Sequence, residues 1–139
     1  MQARQTPPAA PAWARNLSEP RLLAAGEDWD AIRVEADVGV RAVRLLEAVG
    51  TPVGPVLHDL CSDRTYFLTP PGTADGWREQ GARALGAGSW VVLPPPAWDG
   101  LLRWVIEPTE GIEHTAIDDL APALERASMA ETECGEPGE

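Results

Sequence analysis

The chain has 139 residues, enough for one domain with one modest core. Its basic residues are 11 Arg and no Lys, set against 22 Asp and Glu, for a net charge of −11. That balance lacks the broad positive field of a typical nucleic-acid-binding domain, and two remote cysteines make neither a disulfide framework nor a zinc site.

The charge is unevenly placed. Residues 1–106 carry ten Arg against twelve Asp and Glu, so the body is nearly neutral. Residues 107–139 carry one Arg against ten acids. An acidic tail of this kind either stays solvated or competes for a basic surface, on this chain or on a partner. The Arg-, Ala-, Pro- and Gly-rich, Lys-free usage points to a high-GC bacterial coding sequence. The N-terminus lacks a charged-then-apolar signal segment and no apolar run is long enough to span a bilayer, so a cytoplasmic chain with no membrane contact is expected.

Residues 1–16 are Pro- and Ala-rich without period and read as a disordered leader, with Trp13 its one sticky residue. Ser18-Glu19-Pro20 has the form of a helix start, with Leu22 to Ala24 behind it and Gly26 as its stop. Trp29 to Val34 reads as the first strand. Asp37 to Val49 has the strongest helical period, with Gly50 as the cap. A hairpin follows, from strands near 55–59 and 64–69. Pro71-Gly72 fits a type II turn, and Thr73 is placed to cap one helical turn through Trp77. Arg83 to Leu85, Ser89 to Leu93 and Leu102 to Ile106 complete the strands, the second of them expected to be buried with Trp90 and Val92 in the core. Asp118 or Asp119 is expected to cap a last helix to about Ser128, and 129–139 to be a disordered acidic tail. The sum is one α+β domain over 17–128, a mainly antiparallel sheet with helices on one face.

The ordered set Trp29–Glu35, Gly54-Pro55-Val56, Arg64-Thr65-Tyr66-Phe67-Leu68, Gly86-Ala87-Gly88-Ser89-Trp90-Val91-Val92-Leu93-Pro94-Pro95 and Arg103-Trp104 resembles the N-terminal domain of bifunctional DNA primase/polymerases. These belong to the archaeo-eukaryotic primase superfamily. The resemblance covers 28–106 and implies a primase/polymerase-like fold, with nucleotidyl transfer carried by carboxylates that hold two divalent metals. It also implies where that chemistry would sit. Arg33 stands at the first carboxylate position, Glu35 at the second and Arg83 near the third, while Thr65 stands at the nucleotide-binding histidine.

The expected function is therefore a non-catalytic binding or regulatory module with a degenerate site and no cofactor. Arg33, Glu35, Arg64, Arg83 and Arg103 are its candidate ligand-binding residues, and an anionic ligand or a protein its candidate partner. Two alternatives stay open. One is an active nucleotidyltransferase with a relocated carboxylate set, Glu35, Asp59 and Asp63. The other is a protein–protein adaptor that uses the acidic tail. His58 and His114 lack ligand spacing, and the Gly86–Ser89 stretch precedes a strand, the wrong order for a phosphate loop.

Overall fold

In strand β2 (Asp30–Glu35), Asp30, Ile32 and Val34 point to one side and Ala31, Arg33 and Glu35 to the other. All but Arg33 and Glu35 are buried, so the strand has cover on both faces. The structure is a computed structural model that describes residues 10–78, 81–109 and 111–134, the side chains of 130–134 excepted. In chain order it holds α1 (Ala12–Arg15), β1 (Arg21–Ala24), β2, α2 (Ala36–Ala48), β3 (Val56–Asp59) and β4 (Arg64–Thr69). A 3-10 turn (Thr73–Gly76), β5 (Arg83–Leu85), β6 (Trp90–Leu93), β7 (Leu102–Ile106) and α3 (Ile117–Cys134) follow.

Three layers result. The middle layer is a five-stranded antiparallel sheet in the order β5-β2-β4-β3-β7. Helices α2 and α3 cover one face, where Ile32, Val34, Val56 and Phe67 meet Val38, Ala42, Leu46, Leu120 and Leu124. A two-stranded ribbon of β1 and β6 covers part of the other, where Ala31, Leu57, Leu68 and Trp104 meet Val91 and Leu93. This is the expected α+β class, with helices on one face, and with a second small sheet on the other.

Local chemistry explains the parts that match expectation. The amides of Gly50 and Thr51 donate to the carbonyls of Glu47 and Leu46, a Schellman ending for α2, with Gly50 at φ +78°. The β3–β4 hairpin turns through 60–63, where Asp59 Oδ1 accepts from the amides of Cys61 (3.0 Å) and Ser62 (3.4 Å). The Thr73 amide donates to the Pro70 carbonyl at 3.1 Å around Gly72 at φ +94°, the expected type II turn.

Other expectations are corrected. Ser18-Glu19-Pro20 opens a strand and not a helix: Arg21–Ala24 pairs antiparallel with β6, Arg21 opposite Leu93 and Ala24 opposite Trp90. A run this short cannot pay the cost of helix nucleation, whereas β6 offers it a ready ladder. Gly72 and not Thr73 stands at the cap position of the 3-10 turn, and the Thr73 hydroxyl donates to the Pro70 carbonyl. Asp118 and Asp119 lie inside the first turn of α3, where carboxylates favour the helix dipole, and α3 runs past Ser128 to Cys134. Within the expected leader, Pro11 to Asn16 form the turn of α1. Trp13 packs there on Trp29 and Trp104, each ring centroid 6.2 Å away. The disorder expected for 1–9 and 135–139 falls outside the described residues.

Trp90 and Val92 are also corrected. In the ribbon Val91 and Leu93 face the sheet, so Trp90 and Val92 face out, Trp90 with 60 % of its surface exposed. Leu68 is fully buried. Trp90→Ala should therefore change stability by less than about 1 kcal/mol in denaturant melts, and Trp29→Ala, at 2 % exposure, should cost about 3–5 kcal/mol. Equal losses at the two positions would contradict this packing.

Gly39 gives a second check. It lies in mid-helix, where Ala would ordinarily gain about 1 kcal/mol. Here an added Cβ would overlap the buried Thr65 hydroxyl. Gly39→Ala should instead destabilise by about 1–3 kcal/mol, with part of the loss recovered by Thr65→Ala in the same chain. A stabilising Gly39→Ala would show that α2 does not sit this close to β4.

Candidate functional site

Residues opposite one another in a ladder share a face. Arg33 lies opposite Arg83 on β5 and opposite Tyr66 on β4. Glu35 lies opposite Arg64, which is in turn opposite Asp59 on β3. These six side chains therefore form two adjacent rows on the sheet face away from the helices. One row runs Arg83, Arg33, Tyr66, then Leu57. The other runs Glu35, Arg64, Asp59, then Leu102. Arg33, Glu35, Arg64 and Arg83 line one open pocket of about 280 Å³, together with Val34, Gly81 and Ala82.

The electrostatics of the pocket are lopsided. Among its described lining residues three guanidiniums surround one carboxylate. Among the described residues none makes an ion pair with Arg33 or Arg83. Two like charges directly opposite in a ladder destabilise it, and an anion between them relieves the repulsion. Arg64 is partly committed, since its Nη1 donates to the carbonyls of Ser62 (3.0 Å) and Asp63 (3.3 Å).

The other candidates lie elsewhere. Thr65 alternates to the helix face, fully buried, its hydroxyl without a hydrogen-bond partner beneath Gly39. It shares no pocket with Arg33 and Glu35. Arg103 lies opposite His58, also with the helix face and toward the β7 edge, across the sheet from β5. Asp63 sits in a left-handed turn position at φ +58°, its Oδ1 3.8 Å from His58 Nε2. It faces a separate pocket with Asp37, Arg41 and Arg44. Glu35, Asp59 and Asp63 thus do not converge. Glu35 and Asp59 have Arg64 between them, and Asp63 is on the other side of the sheet. Among the described residues no group of three or more His, Cys, Asp and Glu is arranged to hold a metal ion.

Asp30 has a structural task. It is buried on the helix face, and its Oδ2 accepts from the amides of Gly72 (3.0 Å) and Ala74 (2.8 Å). It thereby fastens the 3-10 turn to the end of β2, as an N-capping side chain would. Gly86 makes room for it, since a Cβ there would lie 3.3 Å from the same oxygen and 2.8 Å from Ala74 Cβ.

One feature escaped sequence reasoning. Tyr66 and Asp59 also line a groove of about 390 Å³ with Leu22, Trp90, Val92, Leu101 and Leu102. Leu22, Trp90 and Leu101 are each about 60 % exposed. The groove runs beside the basic pocket, since Tyr66 and Arg33 are paired residues. Its signal was the β6 alternation, legible only once Val91 and Leu93 are known to face inward.

Asp30→Ala should cost about 1–3 kcal/mol in urea melts by orphaning two amides, and Asp30→Asn, which keeps one acceptor, should cost less. Equal stability of Asp30→Ala and the parent chain would remove the capping role. Comparison of the chain with protein-family models, with curated proteins and with solved structures gives no match.

Proposed function

We propose that this chain is a primase/polymerase-like module without nucleotidyl transfer, and that it binds an anionic ligand on the sheet face. The observation that carries the reading is the Arg33–Arg83 pair, directly opposed, free of ion pairs among the described residues, and joined by Arg64 around one pocket. Guanidiniums present paired N–H groups that fit phosphate and carboxylate oxygens.

The metals that the resemblance implies do not fit these residues. Among the described residues that line the pocket Glu35 is the one carboxylate, and it stands among three cations. A divalent ion about 4 Å from a guanidinium is repelled by roughly 8 kcal/mol at an effective dielectric near 20. One monodentate carboxylate does not offset several such terms, because hard cations bind through multiple oxygens. What the pocket can do is hold an anion, orient it against β2, and release it as salt screens the contact.

A second reading, a protein-binding adaptor, is favoured by one observation: the exposed Leu22, Trp90 and Leu101 around the neighbouring groove. Calorimetry separates the two. Inorganic tripolyphosphate should bind equally with and without Mg²⁺, and Arg33→Ala or Arg83→Ala should weaken it about tenfold, the cost of one charge-assisted contact. Glu35→Ala should leave binding unchanged or tighten it, and primer extension should be absent in the parent chain. Micromolar Mn²⁺ binding or extension lost on Glu35→Ala would overturn the reading, and no anion binding at all would favour the adaptor.

A further inference from the structure

Strand β6 has an open edge. Among the described residues it pairs with β1 alone. The Ala25 amide donates to the Ser89 carbonyl at 2.9 Å, and the hydrogen-bonded pairs of the ribbon alternate from there. Val91 and Leu93 therefore bond to Leu23 and Arg21, while the amides and carbonyls of Trp90 and Val92 point away from β1. Among the described residues no group bonds to them from the other side. Pro94, Pro95 and Pro96 follow, so the edge offers a short run of pairing groups and then stops.

The open edge meets the groove between the ribbon and the sheet. Trp90, Val91 and Val92 line that groove in succession, with side chains of both parities, so it runs along the strand's edge and not over one of its faces. Tyr66, Leu102 and Asp59 form its floor, Asp59 with Oδ1 taken up by the Cys61 and Ser62 amides. The strand crosses the sheet from the β5 side to the β7 side. The carbonyl of Gly86, next after β5, accepts from the Ser89 amide at 2.9 Å, and the Trp104 indole on β7 donates to the Pro94 carbonyl at 3.1 Å. Arg83 and Arg33 thus lie toward the Trp90 end of the edge and Leu102 toward its Leu93 end. From β2 to β7 is three strand spacings, about 14 Å, which an extended segment of roughly five residues spans.

We propose that β6 accepts an added strand from a protein partner, an extended peptide with apolar side chains toward Tyr66 and Leu102 and a carboxylate toward Arg33 and Arg83. The inference rests on the reading of the arginine pocket as an anion site and names its partner. Strand addition satisfies the main-chain groups of Trp90 and Val92, and the groove and the arginines select the side chains. Charge complementarity calls for an acid, since neither Arg33 nor Arg83 makes an ion pair among the described residues. The β6 edge of a second copy supplies none, because Trp90-Val91-Val92-Leu93 has no carboxylate, and two chains of net charge −11 repel. In an antiparallel addition the peptide residues opposite Trp90 and Val92 face outward with them, and the residues between face the floor.

The probe is the peptide acetyl-Val-Thr-Val-Thr-Glu-amide, titrated into the full chain by calorimetry at low salt. Laid antiparallel to β6, it sets its Thr amides against the Val92 and Trp90 carbonyls and its Glu at the arginine end. Replacing its Glu by Gln, or N-methylating both Thr, should each weaken binding about tenfold, the loss of a charge-assisted contact or of two main-chain hydrogen bonds. Arg83→Ala should weaken the Glu peptide and leave the Gln peptide unchanged. Val92→Pro, tolerable where the amide faces away from the ladder, should weaken the Glu peptide and leave tripolyphosphate binding unchanged. At saturating peptide the Trp90 and Val92 amides should exchange with solvent about tenfold more slowly. Equal binding of the N-methylated peptide, or unchanged exchange at those amides, would overturn strand addition, and equal binding of the Gln peptide would overturn the acidic partner. Tripolyphosphate binding without peptide binding would overturn the inference and leave the anion site standing. Peptide binding that needs both the Glu and the Thr amides, in a chain that does not bind tripolyphosphate, would keep the strand partner and overturn the reading of the pocket as a site for a free anion. Protection of the Trp90 and Val92 amides that rises with protein concentration, without peptide, would assign the edge to a second copy and overturn the partner proposed.

Discussion

Everything in this fold depends on how β2 alternates. Its even-numbered side chains, Asp30, Ile32 and Val34, anchor the 3-10 turn and the helix core. Its odd-numbered ones, Ala31, Arg33 and Glu35, reach first the ribbon core and then open solvent. Neighbouring strands β4 and β5 are in register with it on both sides, so one strand fixes which residues of three strands share the exposed face. A slip of one residue would exchange the two sets, burying Arg33 and Glu35 beneath α2 and leaving Ile32 and Val34 in water. Burial of Ile32 and Phe67 against the helices thus also fixes where the arginines stand.

The ends of the site face are set by different forces. Toward Ala31 and Leu68 the ribbon covers the sheet with Val91 and Leu93, and Trp13 seals the side through Trp29 and Trp104. Toward Arg33, Glu35 and Arg64 no such cover is present among the described residues, and the residue types change from apolar to charged at that boundary. Opposed Arg33 and Arg83 cost the sheet stability that an alternating pair would not. Local frustration of this kind, in a sheet whose other pairings are favourable, marks a surface shaped by something other than folding.

Much of the fold was legible in the sequence because its signals were local. The helical period and Gly50 placed α2 to within a residue, and the Asp59 and Pro71-Gly72 turns placed β3 and β4. What escaped was non-local. Leu22-Leu23-Ala24 carries no strand alternation of its own and becomes a strand through β6, nearly seventy residues away. Trp90 is apolar and sits in a β-rich run, so it read as core. Its direction follows from which face of the ribbon meets Leu57 and Leu68, and no local pattern encodes that. Thr65 was grouped with Arg33 and Glu35, yet the register that pairs Arg33 with Tyr66 sends Thr65 to the opposite face. The co-location of Arg33, Glu35, Arg64 and Arg83 followed from parity and pairing, while Arg103 was separated by the same rule.

The proposed function requires that the sheet face hold an anion through arginines and no metal. The most direct measurement is a crystal structure of the full chain grown with tripolyphosphate and Mn²⁺, with anomalous data collected at the manganese edge. Phosphate oxygens should bridge the Arg33 and Arg83 guanidiniums, with no anomalous peak within coordination distance of Glu35. A manganese ion on Glu35 with phosphate oxygens completing its shell would contradict it and restore the catalytic reading.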